Sequence, residues 1–222
     1  MKTLQALTAI AALLVAAPAL HAQILWGTPG AYTGTDADIS TAGTFVAAVT
    51  ENYSNLPETV GDTTFDAVSD SHITNIGNGG SDGSNVNPLT ATPYQEALNG
   101  CSYTYTGNAP VTFNLTGLQE GDVYQVEVWN VADDSSRDTE LSSTGLGGTT
   151  SVDFNDEFVL GTFTAGVSGS EAITFQGVAA GGAGEVNAVA LRDLGAPEPS
   201  TYAMFFAGVG ALVIVSRLRR AA

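Results

Sequence analysis

Few residues in this chain are equipped for covalent chemistry. His21 lies in an apolar N-terminal stretch, which leaves His72 in a polar, glycine-rich segment where a solvated loop histidine is expected. A Ser–His–Asp relay would have to use His72. The single cysteine, Cys101, follows Gly100 and begins an apparent strand, a placement that suits burial as a small hydrophobe better than reactivity. One cysteine also excludes an intramolecular disulfide framework, a structural cysteine zinc site and an iron–sulfur cluster. A carboxylate-pair glycosidase is allowed by residue type, but spacing along the chain does not set the carboxyl separation that such chemistry needs. An enzyme therefore stands behind a binding or structural role.

Two groups of residues are better suited to binding. Asp133, Asp134 and Asp138 follow a strand that ends at Trp129, and Asp36–Asp38 and 153–157 form further acidic loops. Clustered loop carboxylates with backbone carbonyls supply the hard oxygens that calcium takes, though none of these loops has the EF-hand spacing, and a solvated acidic loop paired locally with Arg137 explains any one of them as well. No cofactor beyond such a structural calcium is expected. Trp129 has the opposite parity to Tyr124, Val126 and Val128 on its strand. It is therefore either an exposed indole platform for a sugar beside the acidic loop or a lid on the core.

Charge narrows the partners. The 222-residue chain has a net charge of −17, but residues 23–196 hold 22 carboxylates against Arg137 and Arg192 alone, a net of −20, and no lysine. Such a surface repels phosphate, so nucleic acid and anionic lipid are poor partners and no nucleic acid is expected.

The two ends are addresses. Residues 1–22 have a positive start at Lys2, an apolar run and a small residue at Ala22, the pattern of a signal peptide that is removed near Gln23 after passage through the Sec machinery. At the other end, Pro197, Glu198 and Pro199 precede an uncharged run, 203–215, and a basic terminus with Arg217, Arg219 and Arg220. Thirteen helical residues reach only ~20 Å, so a span must draw on Tyr202 and the arginines as interfacial anchors. The arginines then lie in the cytoplasm and residues 23–195 outside. The order Pro-Glu-Pro, short apolar helix and arginine cluster resembles the PEP-CTERM sorting signal of Gram-negative bacteria. The resemblance implies recognition by a membrane-embedded exosortase, cleavage near Pro197–Pro199, and transfer to the cell surface or release. It also implies a genome that makes exopolysaccharide. A permanent tail anchor is the alternative.

Between the ends, apolar residues alternate with polar ones at period two in 111–115, 124–128 and 173–176. Further strands are expected at 24–27, 44–50, 63–68, 102–106, 149–154, 158–164 and 186–192, separated by Gly, Asn, Asp and Ser. Thr92, Pro93 and Gln95 form a capping box for one short helix that Asn99-Gly100 ends. This helix is expected to close an open end of the sandwich through Tyr94 and Leu98. Residues 117–122 read as a hairpin connection. The stretch 111–129 resembles a strand pair of galactose-binding-like jelly-roll domains. The expected architecture is an all-β, jelly-roll-like antiparallel sandwich over 23–195, flanked by a signal helix and a C-terminal hydrophobic helix in 196–222. The expected function is that of an exported, exosortase-processed surface or matrix protein with a structural or adhesive role, associated with exopolysaccharide. A lectin-like module is the alternative, and a glycan-active enzyme comes third.

Overall fold

A computed structural model describes residues 23–51, 56–67, 70–76, 80–83, 92–131, 137–145, 148–178 and 182–196. The signal segment, the Pro-Glu-Pro motif, the C-terminal apolar run and its arginines lie outside these residues. Among the described residues no helix is long and apolar enough to cross a membrane.

Among the described residues sixteen strands follow one another: β1 (Leu25–Trp26), β2 (Gly30–Ala31), β3 (Thr44–Thr50), β4 (Glu58–Val60), β5 (Thr63–Ala67), β6 (Ile73–Thr74), β7 (Gly80–Gly83), β8 (Gly100–Tyr105), β9 (Val111–Thr116), β10 (Val123–Asn130), β11 (Thr139–Gly145), β12 (Gly148–Phe154), β13 (Glu157–Thr164), β14 (Ser170–Gly177), β15 (Ala183–Val186) and β16 (Ala188–Gly195). The helix α1 (Pro93–Ala97) precedes β8, and a 3-10 turn (Asp36–Asp38) precedes β3. The larger sheet has the order β1-β13-β10-β16-β3-β5-β4, with β2 also on β13. The second sheet is β12-β11-β14-β9-β6, and a small third sheet is β15-β8-β7. All pairings are antiparallel except β3 with β5, so the larger sheet is mixed. From β9 to β14 the chain passes repeatedly between the two large sheets, the wrap of a jelly-roll-like sandwich.

The two sheets close on one core. Phe113 and Leu115 from β9, Leu141 from β11 and Ile173 and Phe175 from β14 meet Val126 and Val128 from β10, Val159 and Phe163 from β13 and Val189 and Leu191 from β16. Period-two alternation supplies this directly, because successive side chains leave a strand on opposite faces.

Four expectations need correction. Residues 117–122 are not a hairpin: β9 pairs with β14 and β6, and β10 with β13 and β16. The connection crosses from one sheet to the other, because both strands point their apolar faces at the same core from opposite sides. The run 186–192 is two strands broken at Asn187. The helix does not close an end of the sandwich; it lies on the outer face of the larger sheet, with Tyr94, Ala97 and Leu98 buried. β11 was not anticipated, since its inward positions are Thr139, Leu141 and Ser143, two of them hydroxyls that carry no hydrophobic signal. The capping box forms as expected: Gln95 N–H donates to Thr92 Oγ1 (3.3 Å) and Thr92 N–H to Gln95 Oε1 (3.0 Å).

Asn187 joins these layers. Its Oδ1 accepts from Val131 N–H (2.7 Å), and its Nδ2 donates to the carbonyls of Leu98 (3.1 Å) and Gly100 (2.9 Å). Its backbone N–H donates to the Trp129 carbonyl and its carbonyl accepts from Glu51 N–H. One buried amide thus ties β3, β10, β16, the end of α1 and the start of β8.

Candidate functional site

The outer face of the larger sheet carries the alternate residues of its strands. On β10 these are Gln125, Glu127 and Trp129, whose parity sends them away from the main core. Glu127 and Trp129 are nevertheless buried, and Gln125 is half-buried. Trp129 is 0% exposed; its Nε1–H donates to Tyr94 Oη at 2.8 Å, and its ring meets Phe65 edge-on at 5.6 Å between centroids. Of the two readings of Trp129, the exposed sugar platform is therefore absent, and the indole lies buried. The indole is the centre of a second apolar cluster with Ala48, Ala188, Ala190, Tyr94 and Leu98. Parity assigns a residue to a face but cannot say what covers that face.

Beside this cluster lie buried charges. Asp38 accepts from Thr33 N–H (2.8 Å) and Thr33 Oγ1–H (2.6 Å), which fixes the loop before β3. Glu127 is 2% exposed and its Oε2 accepts from Ser40 N–H at 3.0 Å. Its Oε1 has no hydrogen-bond partner among the described residues. Burial pushes this carboxyl up to about 8, because desolvation disfavours the charged form. Arg192, buried on β16, pairs with Asp62 through both terminal nitrogens and lies over the Phe45 ring. The guanidinium holds the Asp62 carboxyl below its ordinary value.

Above this floor opens a cleft of 420 Å³. Three segments line it: 34–36 from the loop before β3, 59–61 from β4 and its turn, and 92–94 from the start of α1. Glu58 on β4 and Glu96 on α1 stand close by, and the Glu58 carboxyl is raised by burial first and by the charge of Glu96 second. Tyr94, at the cleft, packs against Tyr32 with centroids 5.7 Å apart.

The other residues singled out from the sequence lie elsewhere. His72 Nδ1 is 3.1 Å from both Asp70 Oδ1 and Ser71 Oγ. A catalytic relay needs the acid on one ring nitrogen and the hydroxyl on the other, so this trio is no relay. Residues 79–83, Gly-Gly-Ser-Asp-Gly, match the Gly-x-Ser-x-Gly spacing. Gly80–Gly83 is, however, a strand paired with β8, not the strand-to-helix turn of a nucleophile elbow. Cys101 is buried, its Sγ 3.4 Å from Glu185 Oε2, which also accepts from Arg137 Nη1 at 2.9 Å. Asp138 Oδ1 accepts from Asn155 Nδ2 at 2.9 Å, which brings two of the acidic loops together. Asp133 and Asp134 lie outside the described residues. Among the described residues no three His, Cys, Asp or Glu side chains group as a metal site. Thr35 and Thr59 gave no signal in the sequence, while Thr92 signalled only a helix cap and Asp36 only an acidic loop, because three segments remote in the chain supply the lining.

Fold and surroundings define an all-β, sandwich-type protein with a largely covered outer sheet face and a cleft upon it. Residues 196–220 match the PEP-CTERM protein-sorting motif. The chain thus carries the signal of an exported protein that an exosortase processes. No curated protein matches it. A solved structure, "Crystal structure of a ruminal GH26 endo-beta-1,4-mannanase", aligns at 22% identity with a TM-score of 0.23, over 43% of this chain and 21% of that one. The chain thus spans about a fifth of that structure's length, and the superposition is too loose to transfer fold or activity.

Proposed function

We propose that the exported protein is a non-enzymatic structural or adhesive component of the cell surface or extracellular matrix, associated with exopolysaccharide. The observation that carries this reading is the state of its cations. The two arginines of residues 23–196 are both engaged internally, Arg192 with Asp62 and Arg137 with Glu185, so the exterior offered to partners is acidic. An acidic exterior keeps the protein soluble outside the cell and lets divalent ions bridge it to acidic polysaccharide. A structural calcium at Asp133, Asp134 and Asp138 belongs to the same reading. Its expected mark is a higher melting temperature in millimolar calcium.

The test is retention of purified residues 23–196 on exopolysaccharide from the producing cells. Saturable retention with calcium, lost on chelation, supports the reading. Retention unchanged after complete removal of divalent ions contradicts ion bridging, and no retention at all contradicts the association. A second reading, a lectin-like module, is favoured by the cleft rather than by Trp129.

A further inference from the structure

The cleft on the outer face of the larger sheet has no part in sorting. Its 420 Å³ falls among the sizes of small-molecule sites. Its lining joins the polar residues Thr35, Asp36 and Thr92 to Val60, Pro93 and Tyr94, with Thr59 and Gly61 on the β4 side. That mixture suits a sugar ring, which presents hydroxyls at its edge and C–H groups on its faces. The walls are fixed before any ligand arrives. Tyr94 is held between Tyr32 and Trp129, Asp38 fastens the 33–38 loop, and the capping box sets Thr92. Pre-set walls reduce the ordering cost of binding.

Charge then selects among sugars. Asp36 lines the cleft, and Glu58 and Glu96, on two of the elements that form it, repel each other. Both arginines of the exported segment are committed to other carboxylates. An anionic sugar meets only repulsion here, whereas an ammonium group relieves it.

We infer that this cleft binds an amine-bearing saccharide, with ring hydroxyls on Thr35 and Thr92 and the ammonium toward Asp36, which lines the cleft. The inference deepens the reading of a glycan-associated surface protein and rests on it.

The full chain, held in a polyoxyethylene detergent, is titrated calorimetrically with a β-1,4-linked glucosamine tetrasaccharide at mildly acidic pH. Its fully N-acetylated counterpart and spermidine serve as comparisons. The expected result is saturable binding of the free-amine sugar, weaker by about tenfold or more for the other two. Thr35→Trp fills the cleft from an exposed position, and Asp36→Asn removes its lining charge at constant size. Each is expected to weaken binding by about tenfold or more, and Asp36→Asn keeps the test decisive if Thr35→Trp does not fold. Equal binding of spermidine or of the acetylated sugar overturns the inference, as does binding that neither substitution weakens. Exopolysaccharide retention with no tetrasaccharide binding also overturns it while leaving the surface role intact. Tetrasaccharide binding lost with the cleft, without exopolysaccharide retention, supports the inference and counts against that role.

Discussion

Replacing Asn187 with alanine tests whether one amide holds the layers together. The side chain is fully buried, and its removal leaves three backbone groups without their partner: Val131 N–H and the carbonyls of Leu98 and Gly100. A buried polar group stripped of its partner costs about 1–3 kcal/mol. Not all three losses are complete, because the shortened side chain lets neighbours shift. A total of about 3–5 kcal/mol follows, a large share of the ~5–15 kcal/mol that holds a domain folded. At roughly 2–4 °C per kcal/mol for a domain of this size, the melting temperature falls by roughly 6–20 °C. Asn187→Asp is not a rescue. It keeps the acceptor for Val131 N–H but turns an oxygen toward two carbonyls, which it repels. The assay is urea unfolding of residues 23–196 followed by tryptophan fluorescence, from buried Trp129 and half-buried Trp26, with the slope against urea compared to confirm that the same surface is exposed. A loss below ~1 kcal/mol in both variants refutes the reasoning and means that the layers hold without this amide.

Trp129→Phe keeps most of the buried area but leaves Tyr94 Oη without its indole donor. Stability should drop by about 1–2 kcal/mol in thermal unfolding, while exopolysaccharide retention stays unchanged because the indole is not at the surface. The Glu127 carboxyl, raised to about 8 in the fold and near ~4.3 when unfolded, binds more protons folded than unfolded between those values. Its contribution to stability is therefore full below pH ~4 and lost as pH rises toward ~8. Glu127→Gln should flatten that fall in the urea midpoint, and an unchanged profile would place the slope elsewhere, with Glu171 at about 7 the next group to substitute. Gly184→Ala puts a Cβ 2.4 Å from the carbonyl carbon and oxygen of Gln176 and 2.6 Å from Gly177 N. These are backbone atoms of β14 that cannot step aside, so soluble protein should be lost or destabilised by about 3 kcal/mol or more. Changing Pro197, Glu198 and Pro199 to alanine should leave the chain unprocessed in the membrane fraction; a mass spectrum showing normal trimming would sink the assignment of that motif.

The destination of this protein was legible in the sequence because a sorting signal is read as a linear segment. Pro197-Glu198-Pro199, the uncharged run and the closing arginines lie within one short stretch, and no folding is needed to bring them together. The main core was legible for a related reason. Alternation in β9, β10 and β14 is a local property of the backbone, and it named Phe113, Val126 and Ile173 correctly as inward. β3 matched its expected bounds, 44–50. The local chemistry of Thr92, Pro93 and Gln95 likewise started the helix where it starts.

Tertiary structure decided whatever depends on what lies opposite a face. The same alternation that placed Val128 inward left Trp129 open to two readings, and only the arrival of α1, 35 residues earlier in sequence, made it core. Glu127 became a buried carboxyl because the loop before β3 brings Ser40 onto it. Whether residues 117–122 turn back within a sheet or cross between sheets depends on the partners of β9 and β10, which lie far along the chain. The cleft is the extreme case: its lining comes from residues 34–36, 59–61 and 92–94, which form a site only because three segments meet on one sheet.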